Sequence, residues 1–260
     1  MHITSPVNGQ TILTHLAEFP HAHLDIGCGD GRAALQLARS RPDTLVVGSD
    51  ICLANLVRQT RKAPRNLVFI EVDATQPPPE LIGRFDSISI HLPFGSLLRG
   101  LMSGDHQRLS DILSPVKPGG SVELLINESA VRSTFGNVES MPALAAIANH
   151  LTHATVTTKT NVELRHCPSR WAKRIGYGKP SICWHIIGKA GKPGANAPGS
   201  ANQIRASIQP MIESRPSSLT ISSKRSCRPP SIMFSVLSSE LTASINCTLP
   251  AGDVAVSCVP

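Results

Sequence analysis

The sequence is poor in aromatic residues, with two Trp, one Tyr and six Phe in 260 positions, and its 21 Pro and 19 Gly are unevenly spread. The average composition therefore covers one part able to fold and one that folds poorly. Hydrophobic residues still make up 41% and charged residues 17%, which excludes a purely disordered chain and allows a sizeable core. No CxxC pair occurs among the seven Cys (Cys28, Cys52, Cys167, Cys183, Cys227, Cys247 and Cys258), so neither a disulfide framework nor a zinc site is expected. A reducing, cytoplasmic setting fits that usage. Nowhere do about 18 apolar residues run uninterrupted, and MHITSPVNGQTILTHLAEF has no basic segment ahead of a long apolar stretch. These absences predict a soluble protein that is not exported and has no membrane partner. Acidic residues are outnumbered 18 to 25 by Lys and Arg, giving a net charge of +7 and a pI near 9.3. That balance favours polyanionic partners such as nucleic acid.

From His21 onward, short apolar runs alternate with segments of helical period. HLDI (23–26), TLVVGS (44–49), NLVFIEV (66–72), FDSISIHL (85–92) and SVELLIN (121–127) read as strands bounded by Gly, Pro, Asp or Asn. Between the first three, GRAALQLARS (31–40) and ICLANLVRQTRK (51–62) set Ala34, Leu37, Ala38 and Leu53, Leu56, Val57 at helical spacing. This order predicts an α/β fold with a doubly wound, mostly parallel sheet. A helix over 141–151 and strands over 154–164 and 181–187 predict an antiparallel edge. The domain is then complete at 1–188. Residues 189–260, rich in Ser, Pro, Gly and Ala, are expected to form a disordered tail. Its Lys224, Arg225 and Arg228 suit a solvated extension better than an arm on RNA.

LDIGCGDGR (24–32) joins the first strand to the first helix, with Gly27, Gly29 and Gly31 alternating. Glycines at this turn permit positive φ and close approach of a ligand, and Asp25 and Asp30 set carboxylates beside it. Those carboxylates argue against a pyrophosphate and suit the cationic methionine part of S-adenosylmethionine (SAM). Asp50 ends the second strand about 20 residues after the turn, where an acidic side chain accepts from ribose hydroxyls. Asp73 and Ala74 end the third strand, where a carboxylate can accept from an adenine amino group while backbone meets the ring. Each Asp alone is commonly a cap or turn former; together they share the sheet edge where such folds bind ligands.

These residues, with the VKPGGSVEL turn (116–124), resemble the class I SAM-dependent methyltransferases. FDSISIHLPFGSLLRG (85–100) together with PSRWAKRIGYGK (168–179) narrows the resemblance to the aminoglycoside-resistance 16S rRNA methyltransferases of the Kam and Npm type. It covers roughly residues 10–188, interrupted over 128–165. The resemblance implies SAM as cofactor, methylation of N1 of adenine 1408 in the 16S rRNA of an assembled 30S subunit, and a monomer without a metal. It also implies that Phe94 and Trp171 sandwich a flipped target base, with Phe94 standing where the family usually has Trp. Stacking on both faces contributes about 1–3 kcal/mol per base. By the same resemblance Ser96 and Ser169 line the pocket, and the His91 backbone contacts the cofactor adenine. Ser96 has a second reading, as the cap of the helix containing Leu97. Where the family carries an acidic residue at the third strand, Thr75 stands here and Asp73 takes over its bond.

Arg99, Arg170, Lys173, Arg174 and Lys179 surround the two aromatic segments and suit contacts to phosphates. No His, Cys or Lys constellation for acid–base catalysis stands out, and none is needed, because adenine N1 already carries a lone pair. At this point three other readings stay open. They are a SAM methyltransferase for another RNA or a small molecule, a catalytically silent SAM-fold binding protein, and, more distantly, a nicotinamide-dependent oxidoreductase.

Overall fold

The computed structural model describes residues 9–52, 63–136 and 141–191, all within one compact unit of the chain. The expected helix positions Leu53, Leu56 and Val57, and the tail from residue 192 with Lys224, Arg225 and Arg228, lie outside the described residues. Seven strands form one sheet: β1 (His21–Ile26), β2 (Thr44–Asp50), β3 (Leu67–Glu71), β4 (Phe85–His91), β5 (Val116–Asn127), β6 (Leu151–Thr160) and β7 (Ile182–Ala190). Their order across the sheet is β3-β2-β1-β4-β5-β7-β6, parallel except for β7, which runs antiparallel to both β5 and β6. The doubly wound sheet with an antiparallel edge is thus the one the alternating pattern predicts.

The helices are α1 (Gly9–Ala17), α2 (Arg32–Ser40), α3 (Gly95–Met102), α4 (His106–Leu113), α5 (Glu128–Phe135), α6 (Met141–Asn149) and α7 (Arg170–Gly176). One sheet face buries Leu24, Ile26, Ile88, Ile90, Val122 and Leu124 against Leu98 and Leu101 of α3, Ile112 of α4 and Leu144 of α6. On the other face α2 lays Ala34, Leu35 and Ala38 over Val46, Leu67 and Phe69. Over β1 and β4 that second face carries the polar side chains of His23, Asp25, Ser87 and Ser89, and beyond them Leu125 of β5 and Cys183 of β7 cluster with Leu164 and with Ala172 of α7. Asp105 and Asn127 cap α4 and α5, their side-chain oxygens accepting from Gln107 and Ala130 N–H at 2.9 and 3.1 Å.

Three expectations change. The strand read over 154–164 ends at Thr160, and Asn161–His166 is a 3-10 helix. Glu163 turns the chain there by accepting from the Thr160 N–H at 2.6 Å and hydroxyl at 3.1 Å, a local bond that an extended chain cannot make. β5 starts at Val116, with an irregularity in its pairing to β4 that absorbs the glycine turn at Gly119 and Gly120. β7 continues to Ala190, two residues past the expected boundary at 188, because Lys189 and Ala190 pair with Thr152 and Leu151. Among the described residues no helix is long and apolar enough to cross a membrane.

β7 lies between β5 and β6, so its two faces test the packing directly. Ile186 is fully buried, whereas Ile187 is 46% exposed. Ile186→Ala is expected to cost about 2–5 kcal/mol, read as a lower urea midpoint at unchanged slope. Ile187→Ala should stay within about 0.5 kcal/mol of the parent. Equal losses at both positions would contradict the assigned faces.

Candidate active site

A cavity of about 600 Å³ opens where the carboxyl ends of β1, β2, β3 and β4 meet the start of α7. The backbone after β1 rises through Gly27 and Gly29, both at positive φ (70° and 56°). The positive φ at Gly27 favours glycine, and a Cβ there would come within 2.9 Å of the end of the Leu97 side chain, which would have to shift. The loop is tied down by Asp50, whose Oδ2 accepts from Gly29 N–H at 2.8 Å while its Oδ1 accepts from Cys52 N–H at 3.0 Å. Asp50 therefore shapes the glycine loop as well as facing the cavity.

The strand ends supply the other acidic groups. Asp25 is buried at the end of β1, and its carboxyl is pushed up by burial, an effect opposed by His91 and by a hydrogen bond from Ser89 Oγ at 3.1 Å. Asp73 and Ala74 follow β3, and Asp73 Oδ1 accepts from the N–H and hydroxyl of Thr75 at 2.9 and 2.7 Å. That oxygen is thus already engaged by Thr75, which stands where the family carries the acidic residue whose bond Asp73 is expected to take over. His91, Phe94 and Ser96 follow or end β4 and also face the cavity. Leu92 adopts φ 56°, rare for a branched residue, and is held by its N–H bond to Leu125 O at 2.7 Å; this sharp turn throws Phe94 outward. Phe94, not Ser96, occupies the capping position of α3, so Ser96 lies in the first helical turn with its capping reading set aside.

Phe94 and Trp171 are 62% and 41% exposed, so neither belongs to the core. Their rings touch edge to face, with centroids 6.1 Å apart at 62°. The Arg174 guanidinium lies 5.8 Å from the Trp171 ring centre. Ser169 caps α7, its hydroxyl accepting from Trp171 and Ala172 N–H at 3.2 and 3.4 Å, and so fixes the residue that carries the indole. Trp184, by contrast, is core.

All expected cofactor residues (Asp25, Gly27, Gly29, Asp50, Asp73, Ala74, His91 and Ser96) line this one cavity, as do Phe94, Trp171, Ser169, Arg170 and Arg174. Arg99, Lys173 and Lys179 are exposed on α3, α7 and the turn after α7 but do not line it. Asp30 was noted only as a nearby carboxylate; its Oδ2 accepts from Arg170 N–H at 3.2 Å, joining the glycine loop to α7 across 140 residues. Tyr177, just after α7, is 72% exposed, with the Arg165 guanidinium 4.8 Å from its ring centre. Tyr177 is not among the residues singled out from the sequence; the aromatic–basic alternation of WAKRIGY is the signal that could mark it.

An open crevice at the switch between β1 and β4, lined by glycines and carboxylates, defines the Rossmann-like fold of the SAM-dependent methyltransferases. The family model for the NpmA 16S rRNA (adenine(1408)-N(1))-methyltransferases matches residues 4–190, and the chain belongs to that family. The 16S rRNA (adenine(1408)-N(1))-methyltransferase of Escherichia coli is 26% identical over 198 residues, spanning 68% of this chain and 90% of its own. The enzyme of the same name from Streptoalloteichus hindustanus is 24% identical over 163 residues, 60% of this chain and 71% of its own. Among solved structures, an antibiotic-related methyltransferase superposes with a TM-score of 0.62 at 25% identity, covering 73% of this chain and 98% of that one. The Catenulisporales acidiphilia 16S rRNA (adenine(1408)-N(1))-methyltransferase shares the fold, with a TM-score of 0.62 at 23% identity over 74% of this chain and 97% of its own.

Behind the cavity, Glu123 Oε1 accepts from His185 Nε2 at 2.7 Å and faces His91 Nε2 at 3.6 Å. His91, and after it His185, hold the Glu123 carboxyl at about 2 against the opposing effect of burial. A carboxyl that titrates at about 2 when folded and at its ordinary 4.5 when unfolded adds stability that is complete above 4.5 and lost as the pH falls towards 2. Glu123→Gln should accordingly flatten the fall of the urea midpoint between those values. An acid limb equally steep in the variant would assign it to other groups.

Proposed function

We propose that this protein transfers the methyl group of SAM to N1 of adenine 1408 in the 16S rRNA of an assembled 30S subunit, and so confers aminoglycoside resistance. The observation that carries this reading is a division of charge and shape within one crevice. Asp25, Asp30, Asp50 and Asp73 make the interior acidic, while Arg170 and Arg174 stand with two exposed aromatics at the entrance. The interior suits a cationic small molecule and the entrance a stacked base on a polyanion.

The residues fit SAM on the chemistry of their donors. Carboxylates at Asp25, Asp50 and Asp73 accept from its ammonium, ribose hydroxyls and adenine amino group, while Gly27 and Gly29 leave room for close approach of the backbone. The same carboxylates, set beside a hydride-carrying dinucleotide, would face its pyrophosphate with like charge, which disfavours the nicotinamide reading. When bound, SAM supplies a methyl group on a sulfonium, ready for transfer to a nucleophile.

The chain's task is orientation. Phe94 and Trp171 stack on the two faces of an extruded adenine, with Ser169 and Asp30 holding the indole-bearing helix in place. Arg170 and Arg174, backed by Arg99, Lys173 and Lys179, meet the phosphates that flank it. Since N1 of a neutral adenine presents its lone pair, no side chain removes a proton. Rate comes from aligning N1 with the methyl group and from carboxylates that tolerate the charge passing to the base.

Primer extension on 16S rRNA from a susceptible bacterium expressing the protein is expected to stop at adenine 1408, with reduced susceptibility to kanamycin and apramycin. No stop and no change would remove this target and favour another RNA, a small molecule or a silent binding protein. Trp171→Ala should abolish the stop while leaving SAM affinity unchanged, since the indole acts on the target. Phe94→Trp should maintain or raise modification by restoring the larger face. In calorimetry, Asp50→Ala should weaken SAM binding by about 1.5–3 kcal/mol, the worth of hydrogen bonds to a charged group. Unchanged affinity would place Asp50 outside the cofactor site.

A further inference from the structure

We propose that His23 and Ser89 are positioning residues, which aim and ionise the Asp25 carboxylate through a row of hydrogen bonds buried behind the cofactor cavity. The inference rests on the SAM reading above and concerns residues outside the cavity's expected set. β1 and β4 run parallel with His23 beside Ser87 and Asp25 beside Ser89, which puts all four side chains on one sheet face. His23 Nδ1 lies 2.8 Å from Ser87 Oγ, His23 Nε2 lies 3.0 Å from Ser89 Oγ, and Ser89 Oγ lies 3.1 Å from Asp25 Oδ1.

With Asp25 ionised, proton counting fixes every direction in the row. An ionised carboxylate only accepts, so the Ser89 hydroxyl donates to Asp25. Having spent its single proton, the Ser89 oxygen accepts from His23 Nε2–H. A neutral imidazole has one N–H, so Nδ1 accepts from the Ser87 hydroxyl. The ring is neutral because burial, then Arg41 and His91, bring its pKa down to about 4 despite the opposing Glu123. The groups that face Asp25 from the surrounding elements are His91 of β4 and Asp50 of β2, besides the Cys28 thiol of the glycine loop, which burial pushes well up. Burial and Asp50 favour the protonated acid, whereas His91 and the Ser89 bond favour the carboxylate that an ammonium group requires.

Carbon-13 titration of the Asp25 carboxyl in the cofactor-free protein reads this row directly, and calorimetry with SAM across the same pH range reads its use. Ser89→Ala and His23→Leu are expected to raise the Asp25 midpoint by about one pH unit and to weaken SAM about tenfold on the acid side. His23→Gln, whose amide offers a donor and an acceptor at similar spacing, should restore both. An unmoved midpoint in Ser89→Ala, with SAM binding intact in the parent, overturns the positioning role alone. A parent that binds no SAM at any pH overturns the cofactor reading and this inference with it. Should His23→Leu fail to fold, the nearly isosteric Ser89→Ala and the polar His23→Gln still decide the matter.

Discussion

Beside β1 the chain changes its direction of winding: β2 and β3 lie on one side of it and β4 on the other. The segments that follow β1 and β4 therefore leave towards opposite faces of the sheet and cannot cover one another. The crevice between them depends on that single adjacency. It aligns Asp25 with Ser89, aims the glycine loop at Leu97, and brings the Phe94 turn opposite the start of α7. Had β1 and β4 been separated by another strand, none of these side chains would share a space.

Electrostatics then divides the crevice. Carboxylates from three strand ends and the glycine loop crowd its floor, and their mutual repulsion is relieved by backbone N–H groups at Asp50, by the Thr75 bonds at Asp73 and by Ser89 at Asp25. Asp30 reaches beyond the floor to Arg170 N–H, so the cofactor loop and the aromatic entrance are mechanically connected.

The parallel strands and the glycine loop were legible because their signals are local: aliphatic runs of four to eight residues, and an acidic residue at a fixed distance from a turn. Asp50 and Asp73 could be placed beside the loop because parallel strands deliver their carboxyl ends to one edge. Short helices such as α4 and α5 offer barely two turns of periodicity, and their caps at Asp105 and Asn127 carry more information than their apolar residues. Residues 161–164 read as strand because TTKTNVEL has β-favouring residues, while the bond from Thr160 to Glu163 depends on a spacing of three. The contact of Asp30 with Arg170 spans 140 residues, and no local pattern announces it. The polar row of His23, Ser87 and Ser89 depends on the register between β1 and β4, which no local pattern carries.

The edge-to-face contact of Phe94 with Trp171 makes the entrance self-occluding. At 6.1 Å between centroids and 62° between planes, the rings leave no slot for a flat guest, which needs about 7 Å between parallel faces, twice a contact distance. On the proposed reading, an entering base would first replace a ring contact worth about 0.5–1.5 kcal/mol. Stray single-stranded nucleotides, held by stacking alone, gain little from that exchange. On the proposed reading, a nucleotide delivered by a large, phosphate-anchored surface would arrive with its cost of approach already met, so the crevice would discriminate by what the rest of the partner contributes.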